Sequence, residues 1–436
     1  MKVGRYASHM GVRSRLAAKR WMRRLLFLAG GIAVGLAAIL MTYLADEAQA
    51  LFSRLVAAWP SAPLVVTPVG FAVAALLATR VFPNSQGSGI PQVIAALHMA
   101  DKKSAAALVS LRAGVGKVII MTLGLCCGAS IGREGPTVQV GGAIMYALGR
   151  WAPYRQMNFL LAGGAAGVSA AFNTPLAGVV FAIEELGRSF ESRTSGLIIG
   201  AVIAAGLTSL AIMGDYNYFG VTSTTLPLGG AWLSILVCAS ICGLAGGAFS
   251  RVLLAFIGGL PGAAGAFLKR QPILVAAICG LGVGACTVLS GQHVFGTGYD
   301  QAKAILHGTE EVAPGYGALK YLATLISGIS NIPGGILSPS LSIGAGIASD
   351  LRGLFPGVPI AALALVGMVS YLTGVLQAPI TSFVITFEMT NDSDMVIPLM
   401  LAALVANATS KVVVPEGLYL GIARILVRRA DEAARP

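Results

Sequence analysis

An all-α integral membrane protein built from two related halves is the fold this sequence predicts. Three observations carry the reading. Apolar residues make up 56% of the 436 positions and charged residues only 11%, where a soluble domain carries about 25% charged. A segment around Pro175 recurs around Pro379. Three short Gly/Pro-rich runs interrupt otherwise apolar stretches, the pattern of broken membrane helices.

Taken in order, residues 1–24 form a basic segment with eight Lys/Arg and no acid. The charges stop where the first apolar run begins, so the N-terminus is expected on the cytoplasmic side. Residues 25–45 carry no charge, and a span needs about 20 such residues. Asp46 and Glu47 are expected to close this span on the far side. The run is too long for a cleaved signal peptide, and no small-residue cleavage site follows it. A first membrane half is read over 25–215, a polar, Gly/Thr-rich connector over 216–229, a second half over 230–428, and a tail over 429–436. Arg424, Arg428, Arg429 and Arg435 put the C-terminus on the cytoplasmic side as well, which makes the number of full crossings even. Many segments are apolar all round, and some, such as 90–98, are too short to span. Short or tilted helices and no sheet are expected. The 56 glycines permit close helix packing.

The net charge of +12 belongs to this topology and gives no reason to expect a nucleic-acid partner. The six cysteines lie in apolar surroundings without metal-ligand spacing and read as small packing residues. No metal or cofactor is expected.

The repeat is specific. Asn173-Thr174-Pro175-Leu176-Ala177-Gly178 leads to Glu184 as Gln377-Ala378-Pro379-Ile380-Thr381-Ser382 leads to Glu388, 204 positions on. Pro136 and Gly141 match Pro339 and Gly344 at an offset of 203. Paired halves with interrupted hydrophobic segments point to a transporter whose site lies near the membrane midplane. The sequence shows the repeat; an odd number of crossings per half would invert one half against the other.

The chemistry sits in the three runs: Gly-Ser-Gly-Ile-Pro at 87–91, Gly-Arg-Glu-Gly-Pro at 132–136 and Gly-Gly-Ile-Leu-Ser-Pro at 334–339. Glycine lets backbone approach a ligand closely. Proline belongs in the first helical turn, where its missing N–H costs nothing. A helix N-terminus carries roughly half a positive charge and free donors, so it attracts anions. Arg133 and Glu134 add ionisable groups at membrane depth, where charge is expensive and marks function.

These runs resemble three motifs of the CLC family of chloride channels and proton-coupled chloride transporters. Leu337 stands where the family usually has phenylalanine. The resemblance extends through residues 170–178, through Glu388-Met389-Thr390, and to Gly417-Leu418-Tyr419. It implies a homodimer with one anion pathway per subunit. It implies that the hydroxyls of Ser88 and Tyr419, with backbone N–H groups around Ile336 and Leu337, hold a dehydrated chloride. Glu134 would be the gate, competing with chloride when ionised and swinging away when protonated, with Arg133 and Gly135 supporting it. Glu185 would relay protons from the cytoplasmic side, a residue that marks exchangers in the family, with Glu184 beside it. Both glutamates also read as helix caps near the interface. Lys117 matches a family lysine near the anion path, and structural pairing is an equal reading. Serine at 88 is the chloride-favouring residue where proline favours nitrate. Fluoride-exporting relatives depart from the first two motifs, and this chain does not. The family's eukaryotic members carry nucleotide-binding modules after the membrane region; the chain resembles the prokaryotic members of the inner membrane, for which an electrical shunt in acid resistance is the role implied.

A passive chloride channel of the same fold is the alternative. A membrane enzyme is the alternative from another class, but the sequence has no HExxH, no plausibly placed nucleophile elbow and no P-loop. Gly280-Leu281-Gly282-Val283-Gly284 lies inside an apolar run with no preceding strand and reads as helix packing.

Overall fold

The computed structural model describes residues 3–187, 192–214, 217–227, 229–291, 294–309 and 312–433. Nineteen α-helices occur among them. The first nine are α1 (Val3–Ala58), α2 (Pro63–Leu76), α3 (Ile90–His98), α4 (Lys102–Leu108), α5 (Leu111–Cys126), α6 (Glu134–Leu148), α7 (Gln156–Phe172), α8 (Pro175–Phe181) and α9 (Ser192–Met213). The remainder are α10 (Trp232–Gly258), α11 (Gly262–Arg270), α12 (Pro272–Leu289), α13 (Tyr299–His307), α14 (Tyr316–Ile329), α15 (Leu337–Asp350), α16 (Ile360–Leu376), α17 (Pro379–Thr390), α18 (Val396–Val413) and α19 (Leu418–Ala433). No strand is present among the described residues; a single two-residue bridge joins Gly132 to Gly335.

Seven helical segments are long and apolar enough to cross a membrane, beginning with Trp21–Ala58. α1 continues unbroken past Asp46 and Glu47 to Ala58, and Asp46 pairs there with Arg133 at 2.6 Å. α1 also runs through the 24/25 position, and α19 runs through 428/429. The connector region holds no helix among its described residues; Tyr216, where it was placed to begin, lies outside them, as do Lys2 and Arg435.

The segments that share sequence also share structure. α7 and α16 are both 17 residues long, and each ends on a left-handed residue, Asn173 at φ 56° and Gln377 at φ 55°. Proline then opens α8 and α17. The α6–α7 crossing is made at Gly141 and Gly163, and the α15–α16 crossing at Gly344 and Gly367. In each, a Cβ would run into the facing glycine's carbonyl. Close glycine-to-backbone contact is how membrane helices pack without a hydrophobic driving force between them.

α8 and α17 exchange caps. Glu388 accepts the backbone N–H groups of Leu176 (2.9 Å) and Ala177 (2.6 Å) at the start of α8. Glu184 accepts those of Ile380 (3.2 Å) and Thr381 (2.6 Å) at the start of α17. Each carboxylate satisfies orphan donors of the other half and sits at the positive end of a helix dipole.

Candidate anion and proton site

The three Gly/Pro runs become three helix starts that meet. α3 begins after Gly89 (φ 108°), α6 after Arg133 and α15 after Ile336. Backbone hydrogen bonds lace the loops together. Gly132 N–H donates to Gly335 O (2.7 Å), Gly335 N–H to Gly132 O (2.6 Å), and Gly334 N–H to Gly87 O (3.2 Å). Gly135 lies directly against Ser88 and Gly335, with no room for a Cβ. A fourth start, that of α19, brings in Tyr419, which is fully buried.

Ser88 and Tyr419 are 331 positions apart in sequence, yet the Tyr419 hydroxyl faces both the Ser88 side chain and the Ile336 backbone. Among the described residues neither hydroxyl has a hydrogen-bond partner, although both are buried. Buried polar groups are ordinarily paired. Two orphaned hydroxyls beside converging helix N-termini therefore make a cradle for a dehydrated anion. Leu337 is buried at the first position of α15.

Glu134 has no exposed surface. Ser338 Oγ donates to its Oε1 at 2.5 Å, while Oε2 has no partner among the described residues. The carboxylate also lies near the N–H groups of Glu134 and Ser338. It thus lies among donors that an anion could use. Arg133 turns away from its neighbour. Its Nη1 pairs with Asp46 at 2.6 Å, and its guanidinium lies over the Tyr218 ring at 6.0 Å.

Two cavities flank this centre. A vestibule of about 550 Å³ is lined by Asp46, Gln49, Arg133, Tyr218, Thr297 and Tyr299, among others. It lies toward the C-terminal half of α1. A second cavity of about 290 Å³ is lined by Gln86, Ser88, Ser130, Thr324, Ile336 and Arg429, among others, on the side where α19 ends. Glu134 and Tyr419 line neither and stand between them.

Lys117 is buried, and its Nζ donates to the carbonyls of Gln86 (3.1 Å) and Gly87 (2.7 Å). It holds the loop that presents Ser88 rather than reaching the cradle itself. Adjacent Glu184 and Glu185 have different surroundings because they lie on a π-helical turn, Ala182–Gly187, which displaces successive side chains around the axis. Glu184 caps α17. Glu185 is buried and faces toward Tyr419.

The second half contains a copy of the anion loop that sequence reading passed over. Gly-Thr-Gly at 296–298 leads into α13 as Gly-Ser-Gly at 87–89 leads into α3, and six of twelve positions are identical over 87–98 and 296–307. Lys320 Nζ donates to the carbonyls of Val294 (2.9 Å) and Gly296 (2.8 Å), as Lys117 does in the first half. This second loop is filled from within: Gln49 Oε1 accepts from Thr297 N–H at 2.7 Å. The shared glycine spacing and the terminal histidine were the available signal. Nothing in the sequence marked Asp46, Tyr218 or Ser338 as companions of the Arg133–Glu134 pair.

Comparison with known proteins agrees with this architecture. The H(+)/Cl(-) exchange transporter ClcA of Citrobacter koseri is 30% identical over 404 residues, covering 85% of this chain and 82% of the relative. The crystal structure of a slow cyanobacterial Cl-/H+ antiporter superposes with a TM-score of 0.78 at 22% identity, covering 94% of this chain and 99% of that one. A CLC-type fluoride/proton antiporter gives 0.74 at 23% identity, covering 91% and 96%. Identities this low show the fold alone. The model of the voltage gated chloride channel family matches residues 70–411. Half-helices that meet at glycine loops, in a chain matched over that length, place this protein in the voltage gated chloride channel (CLC) family.

Proposed function

We propose that this protein exchanges chloride for protons across the bacterial inner membrane, working as a homodimer with an anion pathway in each subunit. One observation carries the reading. A buried carboxylate, Glu134, lies at the helix N-termini between two cavities and accepts from Ser338, with two unpartnered hydroxyls next to it. A carboxylate and a chloride compete for the same donors. Protonation frees the donors for the anion, and anion departure returns them to the carboxylate. One group then ties proton occupancy to anion occupancy. Ser88, Tyr419 and the backbone at Ile336 and Leu337 hold the anion. Lys117 and Gly135 set the loop geometry, and Arg133 lends positive charge to the vestibule mouth. Glu185 is the proton station on the α19 side, separated from the vestibule by the anion cradle. The ClcA relative, named an H(+)/Cl(-) exchange transporter, supports the same reading.

The test is the reversal potential of the purified protein in a chloride gradient, with and without a pH gradient. An exchanger's potential moves with pH; a passive channel's follows chloride alone. Glu134→Gln is expected to pass chloride with no proton uptake, since the amide mimics the protonated carboxylate. Glu185→Gln is expected to lose proton movement and keep chloride flux. Persistent chloride-driven proton uptake in Glu134→Gln removes that residue from the mechanism.

A further inference from the structure

Glu134 has no exposed surface, so protons from the vestibule need a route to it. Ser338, its hydrogen-bond donor, is only 3% exposed. The Tyr218 hydroxyl lies 3.4 Å from Ser338 Oγ, and Tyr218 lines the vestibule. Three oxygens therefore run in sequence from Tyr218, a 3% exposed residue of the cavity wall, to the buried carboxylate: Tyr218 Oη, Ser338 Oγ, Glu134 Oε1.

We infer that Tyr218 and Ser338 form a hydroxyl relay that carries protons between the vestibule and Glu134. The inference rests on the exchange function proposed above and names the proton's entry route. In each transfer a hydronium ion in the vestibule gives a proton to Tyr218 Oη and is left as water, as the tyrosine's own proton passes to Ser338 Oγ. Ser338 passes its proton to Glu134 Oε1. Each hydroxyl gains one proton and loses one, and the carboxylate ends as the acid. No other reactant is required.

The ring of Tyr218 is held in place. It packs edge-on against Phe172, Phe219 and Tyr299, with centroids 5.6, 5.1 and 4.9 Å away, and Arg133 lies over it. This packing fixes where the hydroxyl points and excludes water from the path beside it. The 3.4 Å gap is longer than the roughly 2.7–2.8 Å typical of O–H···O bonds. The Tyr218–Ser338 link is therefore the step that must tighten for the relay to conduct. Asp46, Arg133 and Asp300 are the charged groups that share the vestibule; Glu134 and Arg133 are those that face the hydroxyl pair most directly.

The experiment uses full-length protein in liposomes, with chloride and proton fluxes recorded together from pH 7.5 to 4.5. Tyr218→Phe keeps the ring and removes only the hydroxyl. At neutral pH, both ion fluxes in Tyr218→Phe and Ser338→Ala are expected to fall together by about a hundredfold, the lower end of what a positioned proton-transfer group contributes. The chloride-to-proton ratio should stay that of wild type, since Glu134 still couples the two ions. The deficit should shrink as the medium is acidified and direct protonation takes over. Tyr299→Phe, a neighbouring vestibule hydroxyl outside the relay, should behave as wild type. Chloride binding by calorimetry verifies that each variant is folded. Wild-type turnover in Tyr218→Phe overturns the relay, and so does a deficit equal at every pH or a changed ratio at unchanged rate. A wild-type protein that moves no protons in a chloride gradient would instead refute the exchange function.

Discussion

Arg133 and Glu134 are adjacent charges that meet the cost of membrane burial, about 2.5–3.5 kcal/mol per group on insertion scales, in different ways. Arg133 reaches back 87 positions to Asp46 and lines the vestibule. Glu134 lies against the N-terminal backbone of α6 and α15 and accepts a hydroxyl from Ser338. The first arrangement is a fixed ion pair; the second can be undone by one proton. The cradle beside it rests on Ser88 and Tyr419. Tyr419→Ala removes one donor to the anion, and a hydrogen bond to a charged group contributes about 1.5–3 kcal/mol. Chloride affinity measured by calorimetry is expected to fall roughly tenfold or more; an unchanged affinity removes Tyr419 from the site. The runs that hold Ser88 and Glu134 stood out in sequence because glycine, proline and a membrane-buried charge are strong local signals, whereas Tyr419 entered only through the family resemblance. The roles of Asp46, Tyr218 and Ser338 were not legible, because they come from contacts across 87, 120 and 204 positions. Asp46 even read as the end of a span, since nothing local distinguishes a paired carboxylate from an interfacial one.

At the scale of elements, the helix starts were the most readable part of the fold. The proline of each run lies in the first turn of α3, α6 or α15. The continuity of α1 past its acids, and the second glycine loop before α13, were hidden. In the loop's case threonine replaces serine and aspartate replaces proline, so the run no longer looks like its partner. The exchanged caps of α8 and α17 make a further test. Glu388→Gln keeps an acceptor and loses the charge at the helix end, which costs about 0.3–1 kcal/mol. Glu388→Ala loses the capping bonds as well, for about 0.5–2 kcal/mol in all. Thermal unfolding in detergent should therefore rank wild type, Glu388→Gln and Glu388→Ala in that order. Equal midpoints for all three would mean that the α8 N-terminus draws nothing from this carboxylate.

For the molecule as a whole, the orientation we propose from the basic ends of the chain has both termini in the cytoplasm. A tag appended after Pro436 should survive protease in right-side-out vesicles and be removed in inside-out ones; the reverse result would turn the transporter over. The matching halves raise a question of direction. Two chemically alike halves set in opposite senses across the membrane would present the same surface to either side and could not tell outside from inside. Here the likeness fails at two points. Leu337 stands where the first half has Glu134, 203 positions earlier. The Thr297 amide is occupied by Gln49, whereas the Ser88 hydroxyl is left unpartnered. Under the exchange mechanism proposed above, the molecule's sense of direction therefore resides in a glutamine that fills one loop and a leucine that cannot ionise.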